Sequence, residues 1–168
     1  IYIFKKSPNI AYRKKFISRT LLTQIAKERV KSALDLMPIN FKGSRVLDVG
    51  CGRNGNGIAT LAARYNGKIA GYGISLDIQS HLSNVNLAIG SAEHIPFKSD
   101  FFDVIYSCNV IYYINKEKLP IVLNEILRVL KRGGYFIFDD YLRSKRMYKK
   151  EIIPKTSFEA KVISTSFL

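Results

Sequence analysis

An acidic residue followed by a run of glycines is the pattern in this sequence with the clearest chemical meaning. The motif is VLDVGCGRNGNG, residues 46–57. Glycine permits positive φ and lets the backbone approach a ligand closely, and a helix after the turn offers unpaired N–H groups at its start. In a dinucleotide enzyme those groups would hold a pyrophosphate, which Asp48 would oppose. A carboxylate there suits a cationic ligand group instead, held directly or through water.

Three later segments place polar side chains after predicted strands. SLDIQ (75–79) contains Asp77, the only acid between Asp48 and Glu93. GSAEHIPF (90–97) and FFDVIYSCNVIYYI (101–114) follow. Because α/β sheets bind ligands at the carboxyl ends of their strands, these segments are candidates for one site.

The elements that must position these residues are predicted from apolar runs. Runs without alternation indicate strands buried on both faces, and they occur at residues 45–49, 68–76, 86–89, 102–107 and 135–139. Helical spacing predicts helices at residues 14–36, 58–65 and 119–130, with Pro38 ending the first helix and Gly133 and Gly134 ending the third.

This order predicts an α/β, Rossmann-like, doubly wound fold, with a mostly parallel sheet and helices on both faces. Thirteen residues separate Asp77 from Ser91, so the helix between the second and third strands is expected to be short or lost. The chain's 168 residues suit a single domain. Residues 1–40 are interpreted as an N-terminal helical extension packed on the core, and residues 41–168 as the ligand-binding domain. About 28 residues follow the fifth strand, which predicts a reduced C-terminal edge, with residues 160–163 as one more strand.

Composition limits the partners. The net charge of +14 would attract nucleic acid, anionic membranes or acidic substrates, although codon bias also fits a sequence rich in Lys, Ile, Asn and Tyr. Two cysteines and two histidines provide no zinc-ligand spacing, so no metal is expected. No apolar run is long enough to span a bilayer, and the first residues lack a signal-peptide pattern. A cytoplasmic protein with reduced thiols is expected.

Taken in order, the four motifs resemble the class I S-adenosylmethionine-dependent methyltransferases, particularly a type 11-like subfamily with LDVGCG, LPF, FDVI and GG motifs. The resemblance spans residues 46–138 and implies S-adenosyl-L-methionine as cofactor. The glycine turn would hold its methionine part. The family's third glycine falls where this chain has Asn54, and Gly55 could replace it if one residue is inserted. The residues assigned to this turn are Asp48, Gly50, Cys51, Gly52, Asn54 and Gly55.

The resemblance also assigns residues to the ribose and adenine parts of the cofactor. The family's acid after the second strand binds the ribose hydroxyls; Asp77, with Ile78 beside it, is preferred, and a rival alignment places Gly73 there. Ser91 stands where relatives commonly carry an Asp that contacts adenine. The adenine would meet Ser91, Ala92 and Glu93, and Asn109 would border the cofactor.

The predicted function is methyl transfer to an unidentified acceptor, which could be a small molecule, RNA or protein. No general base stands out, and the candidates are Tyr112, Asp139 and Asp140. The motifs (D/N)-P-P-(Y/F) and Pro-Cys are absent, which argues against two classes of nucleic-acid methylase. The alternative is a non-catalytic or degenerate methyltransferase-fold module that binds a partner protein or nucleic acid. An NAD-linked oxidoreductase is disfavoured by Asp48 and by the lack of G-x-G-x-x-G spacing.

Overall fold

A computed structural model describes residues 2–6, 42–108, 110–138, 151 and 162–166. Within these ranges, five strands and two α-helices form the middle of the chain. The elements are β1 (Tyr2–Lys6), β2 (Arg45–Val49), α1 (Asn56–Arg64), β3 (Ala70–Ser75), β4 (Val85–Ile89), β5 (Phe102–Ser107), α2 (Leu119–Val129), β6 (Leu130–Phe138) and β7 (Val162–Ser166).

The central sheet has five strands in the order β4-β3-β2-β5-β6, and every neighbouring pair is parallel. β2 lies at the centre and pairs with β3 on one side and β5 on the other. The chain therefore winds outward from β2 in one direction and then returns to wind in the other. The carboxyl ends of β2, β3 and β5 meet at this change of direction, where open α/β sheets bind ligands.

Two apolar layers cover the sheet, one on each face, because side chains alternate along a strand. Val46 packs in the layer that contains α1, with Ile58, Leu61, Val104 and Tyr106. The next residue, Leu47, packs in the layer that contains α2, with Val49, Ile105, Val122, Ile126 and Phe136. The predicted doubly wound fold with helices on both faces is confirmed.

The connection between β3 and β4 contains no helix at residues 76–84, which confirms the prediction from the short spacing. Gly71 in β3 and Val85 in β4 pair directly, and a β-carbon at Gly71 would lie 2.8 Å from a Val85 methyl group. The crossover therefore leaves the carboxyl end of β3 beside the glycine turn and returns as a loop past α1 to the amino end of β4.

The end of α2 differs from the prediction. The helix ends at Val129, and β6 begins at Leu130 without an intervening loop. The expectation that Gly133 and Gly134 end the helix is wrong, and the strand begins five residues before the predicted 135. The pairing of β5 with β6 jumps from Phe102↔Leu130 to Val104↔Tyr135. The glycines therefore serve a β-bulge, in which Gly133 has φ 74°.

The terminal segments meet in a separate two-stranded sheet. β1 and β7 pair in parallel, with Tyr2 opposite Val162. The strand predicted at residues 160–163 is found at Val162–Ser166, whereas β1 was not predicted. The helix predicted at residues 14–36 lies outside the described residues, so the division at residue 40 stays a prediction. In the described part of the chain, no helix has the length and apolarity needed to cross a membrane.

Candidate functional site

The turn after β2 is built by glycines in left-handed conformations. Gly50 has φ 83°, and its N–H and that of Cys51 both donate to the Ile74 carbonyl, at 2.9 and 3.0 Å. A β-carbon at Gly50 would lie 2.2 Å from a methyl of Val110. Only glycine fits, because both the backbone angle and the neighbouring side chain exclude any other residue. The turn is thereby tied to the ends of both β3 and β5.

Gly55 has the left-handed backbone expected of a third glycine in the turn. It has φ 57° at the start of α1, and a β-carbon there would lie 2.7 Å from Leu87 of β4. Asn54 does not have a positive φ. The side chain of Asn54 instead accepts a hydrogen bond from Ser80 Oγ at 2.8 Å. This geometry is consistent with the alternative in which one residue is inserted in the turn, and Gly55 allows the close contact between helix and sheet.

Gly52 lies at the tip of the turn and faces open space. It has φ 70°, and a β-carbon built on it would meet no protein atom within 4 Å among the described residues. The tip therefore combines a left-handed backbone with an unfilled volume beside it. That combination is what a turn needs when a ligand approaches its backbone closely.

Asp48 lies beneath this turn and is buried, with 5% of its surface exposed. The Tyr106 hydroxyl donates to Asp48 Oδ2 at 2.9 Å, and a β-carbon at Gly57 would lie 3.0 Å from the same oxygen. Burial raises the pKa of Asp48 to about 7, although the Tyr106 hydrogen bond works in the opposite direction. The carboxyl group can therefore change its charge near neutral pH, below the first turn of α1.

Cys51 fills the space between the turn and β3. Burial, and next the charge of Asp48, raise the pKa of its thiol to about 12, so the thiol stays protonated at neutral pH. A β-carbon at Gly73 would lie 2.8 Å from Cys51 Sγ. An acidic side chain at position 73 would therefore collide with Cys51. This geometry is consistent with Asp77 as the candidate acid.

Asp77 lies two residues beyond β3 and is half-exposed. Its Oδ2 pairs with Arg53 Nε at 2.6 Å and accepts a longer hydrogen bond from Gln79 Nε2 at 3.4 Å. The Gln79 N–H donates to the Arg53 carbonyl at 2.9 Å. The loop that carries Asp77 and Ile78 is thus joined to the glycine turn, and the candidate acid lies at the rim of the turn.

The loop that follows β4, residues 90–97, is folded on itself. The Ser91 carbonyl accepts from the His94 N–H at 3.1 Å, and Ser91 Oγ accepts from the Glu93 N–H at 3.1 Å. A β-carbon at Gly90 would lie 2.9 Å from Pro96. Ser91, Ala92 and Glu93 therefore form a compact turn at the carboxyl end of β4, on the same edge as the glycine turn.

Two side chains of α2 hold this loop from behind. Glu125 Oε2 accepts from the Ile95 N–H at 2.9 Å. Arg128 donates through Nη2 to the Ile95 carbonyl at 2.9 Å and through Nη1 to the Phe97 carbonyl at 2.8 Å. Arg128 also pairs with Glu125 through Nε at 2.8 Å and Nη2 at 2.9 Å. The pair joins the loop to the helix through backbone groups alone.

The carboxyl end of β5 is described in part. Ser107 Oγ donates to the Val49 carbonyl at 2.9 Å in a buried position. A single 3-10 turn follows at Ile111–Tyr113, and the Tyr113 side chain is exposed. Tyr112 lies in that turn. The Tyr112 side chain and the predicted residues Asn109, Asp139 and Asp140 lie outside the described structure, so their roles stay predictions.

Sequence reasoning missed four residues that contribute to this site. Tyr106 reads as a core residue of an apolar strand, and nothing local indicates its bond to Asp48. Arg53 reads as a turn residue. Glu125 and Arg128 did carry a signal, because an i, i+3 pair of opposite charge lies on a helix whose other face is apolar. Among the described residues, no three His, Cys, Asp or Glu side chains cluster as a metal site would need.

Comparisons with known proteins agree with this geometry. Residues 47–138 match a family model described as a methyltransferase domain. The chain is 30% identical over 109 residues to probable phthiotriol/phenolphthiotriol dimycocerosates methyltransferase 2 of Mycobacterium ulcerans, covering 60% of this chain and 41% of that protein. It is 32% identical over 108 residues to fatty-acid O-methyltransferase of Mycolicibacterium smegmatis, covering 60% and 38%. The chain thus spans less than half the length of these relatives.

Solved structures show the same fold. A chain from the Haloferax volcanii complex of the Trm112 methyltransferase activator with a methyltransferase superposes with a TM-score of 0.58 at 26% identity. The match covers 68% of this chain and 52% of that chain.

Proposed function

Because this chain belongs to the class I S-adenosylmethionine-dependent methyltransferases, we propose that it binds S-adenosylmethionine across the carboxyl edge of β2, β3 and β4 and transfers the methyl group to a small-molecule acceptor. The proposal of a small acceptor draws on the curated relatives, which include a fatty-acid O-methyltransferase. RNA and protein acceptors are outcomes that the same assays would detect.

The observation that carries this proposal is the open space at Gly52. The neighbouring glycines are required by close packing against Val110 and Leu87, whereas Gly52 has no protein atom within 4 Å of its β-carbon position in the described structure. Gly43, Gly67 and Gly133 are also left-handed glycines that face open space, but among these four only Gly52 lies in the turn between β2 and α1 at the carboxyl edge of the sheet, where open α/β sheets bind ligands. The open volume beside its backbone is where we propose that the cofactor lies.

The described residues fit the proposed cofactor in three parts. The glycine turn offers backbone groups to the methionine part. Asp77 Oδ1 is available for the ribose hydroxyls, because both contacts of Asp77 within the described part of the chain involve Oδ2. The turn at residues 91–93, proposed to receive the adenine, follows β4, which pairs with β3 at the same edge of the sheet. The assigned residues are Asp48, Gly50, Cys51, Gly52, Asn54, Gly55, Asp77, Ile78, Ser91, Ala92, Glu93 and Asn109.

The chemistry needs little from the protein beyond orientation. When bound, the cofactor supplies a methyl group on a positively charged sulfur, already activated for in-line displacement by the acceptor. The glycine turn fixes the direction from which the acceptor must approach, since holding reactants in line lowers the entropic part of the barrier. Ionised Asp48 places negative charge beneath the turn. Tyr112, Asp139 and Asp140 remain the candidates to take a proton from the acceptor.

A matched pair of glycine variants tests the cofactor site. Gly52 and Gly67 have φ values of 70° and 69°, and both face open space among the described residues. Gly52→Ala and Gly67→Ala therefore impose the same backbone strain, about 1 kcal/mol in free energy of unfolding. We expect only Gly52→Ala to lower the affinity for S-adenosylhomocysteine, by tenfold or more in isothermal titration calorimetry.

Equal affinities for the two variants would contradict the assignment of Gly52. Binding of NAD in place of S-adenosylhomocysteine would contradict the family's cofactor for this chain. The alternative, a non-catalytic binding module, draws on the Arg53–Asp77 ion pair and on Ser91 at the position of an acid. Cofactor binding without transfer of a labelled methyl group to fatty acids, RNA or protein extracts would favour that alternative.

A further inference from the structure

The loop that is proposed to receive the adenine is shaped by residues of α2 that do not lie at the cofactor edge. Ile95 is buried, with 1% of its surface exposed. Glu125 accepts from the Ile95 N–H, and Arg128 donates to the Ile95 carbonyl. Glu125 therefore satisfies the Ile95 N–H, while the Ile95 carbonyl accepts from the Phe97 N–H at 2.7 Å as well as from Arg128. An unsatisfied buried backbone N–H costs about 1–3 kcal/mol, so Glu125, oriented by Arg128, stabilises this path of the loop.

The guanidinium geometry makes the arrangement specific. Arg128 uses four of its donor N–H positions, two toward Glu125 and two toward the carbonyls of Ile95 and Phe97. A planar fork can reach all four acceptors at once, whereas an ammonium group cannot. Hydrogen bonding to Arg128 lowers the pKa of Glu125 to about 2, so the pair stays fully charged across the pH range of ordinary assays.

Phe97, at the end of the same loop, packs against aromatic residues of the core. Its ring makes edge-to-face contact with Tyr72 of β3 and Phe102 of β5, at centroid distances of 5.6 and 5.0 Å. The loop is thus fixed at its far end by rings on two strands and at Ile95 by α2. Only the turn at residues 91–93 projects toward the edge. A second link to α2, between Glu93 and Lys118 at 3.0 Å, is exposed and adds little.

The geometry points to Glu125 and Arg128 as positioning residues that hold the turn at Ser91, Ala92 and Glu93 in register with the glycine turn, so that recognition of the adenine base is set by α2. This inference rests on the proposed function. It assigns no contact between α2 and the cofactor. The two side chains act through the backbone of residues 95 and 97, and a shift of that backbone would move the contacts to the base while leaving the glycine turn in place.

The test compares two ligands that differ only in the base. S-adenosylhomocysteine and S-inosylhomocysteine share the homocysteine and ribose parts, but the second carries a carbonyl in place of the adenine amino group. We expect the unaltered chain to prefer the adenine compound. Arg128→Lys keeps the charge but loses the fork, and it should reduce that preference at least fivefold. Arg132→Lys, at an exposed position in β6, is the matched control and should leave the preference unchanged.

Two further readouts separate positioning from general destabilisation. Hydrogen exchange at the Ile95 amide should become faster in Arg128→Lys, while the exchange of Gly50 and Cys51, which donate to Ile74, stays the same. In a transfer assay, KM for S-adenosylmethionine should rise with kcat unchanged, as expected when ground-state and transition-state binding are lost equally. If Arg128→Lys does not fold, Glu125→Gln serves the same comparison, because it weakens the hold on Arg128.

The outcomes distinguish the two proposals. If the unaltered chain binds neither compound, the proposed function fails and this inference fails with it. If the chain binds both without preference, or if Arg128→Lys keeps the full preference, only this inference is overturned. A loss of affinity that is equal for the two compounds would also overturn it, since that result means general destabilisation.

Discussion

At the scale of single residues, the unusual feature is a buried carboxyl group whose only described polar partner is a tyrosine. Asp48 and Tyr106 come from neighbouring strands, and their side chains meet 58 positions apart in the chain. Burial raises the pKa of Asp48 from 3.8 to about 7, and burial and the negative charge of Asp48 raise the pKa of Tyr106 further above its ordinary value. The free energy of unfolding and the proposed ligand binding therefore both depend on whether Asp48 carries a proton.

The sign of the pH effect follows from linkage. The folded state binds the Asp48 proton more tightly than the unfolded chain does, so the contribution of this group to stability is full below about pH 4 and is lost as pH rises toward 7. Asp48→Asn cannot ionise. We expect its free energy of unfolding to increase relative to the unaltered chain as pH rises from 4 to 7, measured by urea denaturation at several pH values.

Tyr106→Phe provides the matched control. It removes the hydrogen bond that lowers the pKa of Asp48, so the midpoint of the same stability profile should move to higher pH. A profile for Asp48→Asn that runs parallel to that of the unaltered chain would mean that Asp48 titrates elsewhere.

At the scale of elements, the site is assembled by loops that hold one another. The glycine turn and the loop after β3 are joined by the Arg53–Asp77 ion pair and by the Ser80–Asn54 hydrogen bond. Both partners of the ion pair are about half-exposed, and such pairs contribute about 0–1 kcal/mol to stability. The ion pair therefore matters more for the placement of Asp77 than for the stability of the fold.

This division of roles predicts different losses for the two partners. Asp77→Ala removes the charge-assisted hydrogen bonds that we propose between Asp77 and the ribose, and it should lower the affinity for S-adenosylhomocysteine tenfold or more, since such bonds are worth about 1.5–3 kcal/mol. Arg53→Ala removes only the side chain that orients Asp77 Oδ2 and should lower the affinity by a few-fold. Both variants should keep the melting temperature, and Glu117→Ala, an exposed acid elsewhere, is the control. Unchanged affinity in Asp77→Ala would mean that a residue other than Asp77 binds the ribose.

At the scale of the whole molecule, the positive charge is unevenly distributed along the chain. The residues before Lys42 contain nine Lys and Arg but only two acids, which gives half of the net charge in a quarter of the sequence. Residues 42–138, which contain the central sheet, carry eleven basic and seven acidic residues. Attraction to a polyanion would therefore depend on the N-terminal segment more than on residues 42–138.

We expect any RNA affinity of the full chain to fall steeply between 50 and 200 mM salt, because binding to phosphates releases counterions. Replacing Lys14, Lys15 and Arg19 with Gln should reduce the slope of log K against log salt by up to ~2–3. Replacing Lys42, Lys68 and Lys98 with Gln removes the same charge and should reduce the slope less. Equal slopes for the two triple variants, measured by fluorescence anisotropy, would mean that residues 42–138 contact phosphates as much as the N-terminal segment does.

Local sequence patterns were enough to predict the strands around the site and the glycine turn after β2. β5 was predicted at its observed bounds, Phe102–Ser107, and the missing helix after β3 followed from spacing alone. These features depend on local pattern, because apolar runs and glycines act within a few residues of their position. The resemblance to methyltransferases has the same origin, since the four motifs are short segments in a fixed order.

The contacts between side chains from distant parts of the chain are seen only in the folded structure. The Asp48–Tyr106 bond and the hold of Arg128 on Ile95 join positions 58 and 33 apart, and no periodicity encodes such pairs. The same reason explains the error at Gly133: a glycine after a helix favours a cap, but pairing with β5 starts β6 directly at Leu130. Local propensity favours a helix or a strand, whereas the free energy of burying that element against its neighbours sets the residue at which it begins.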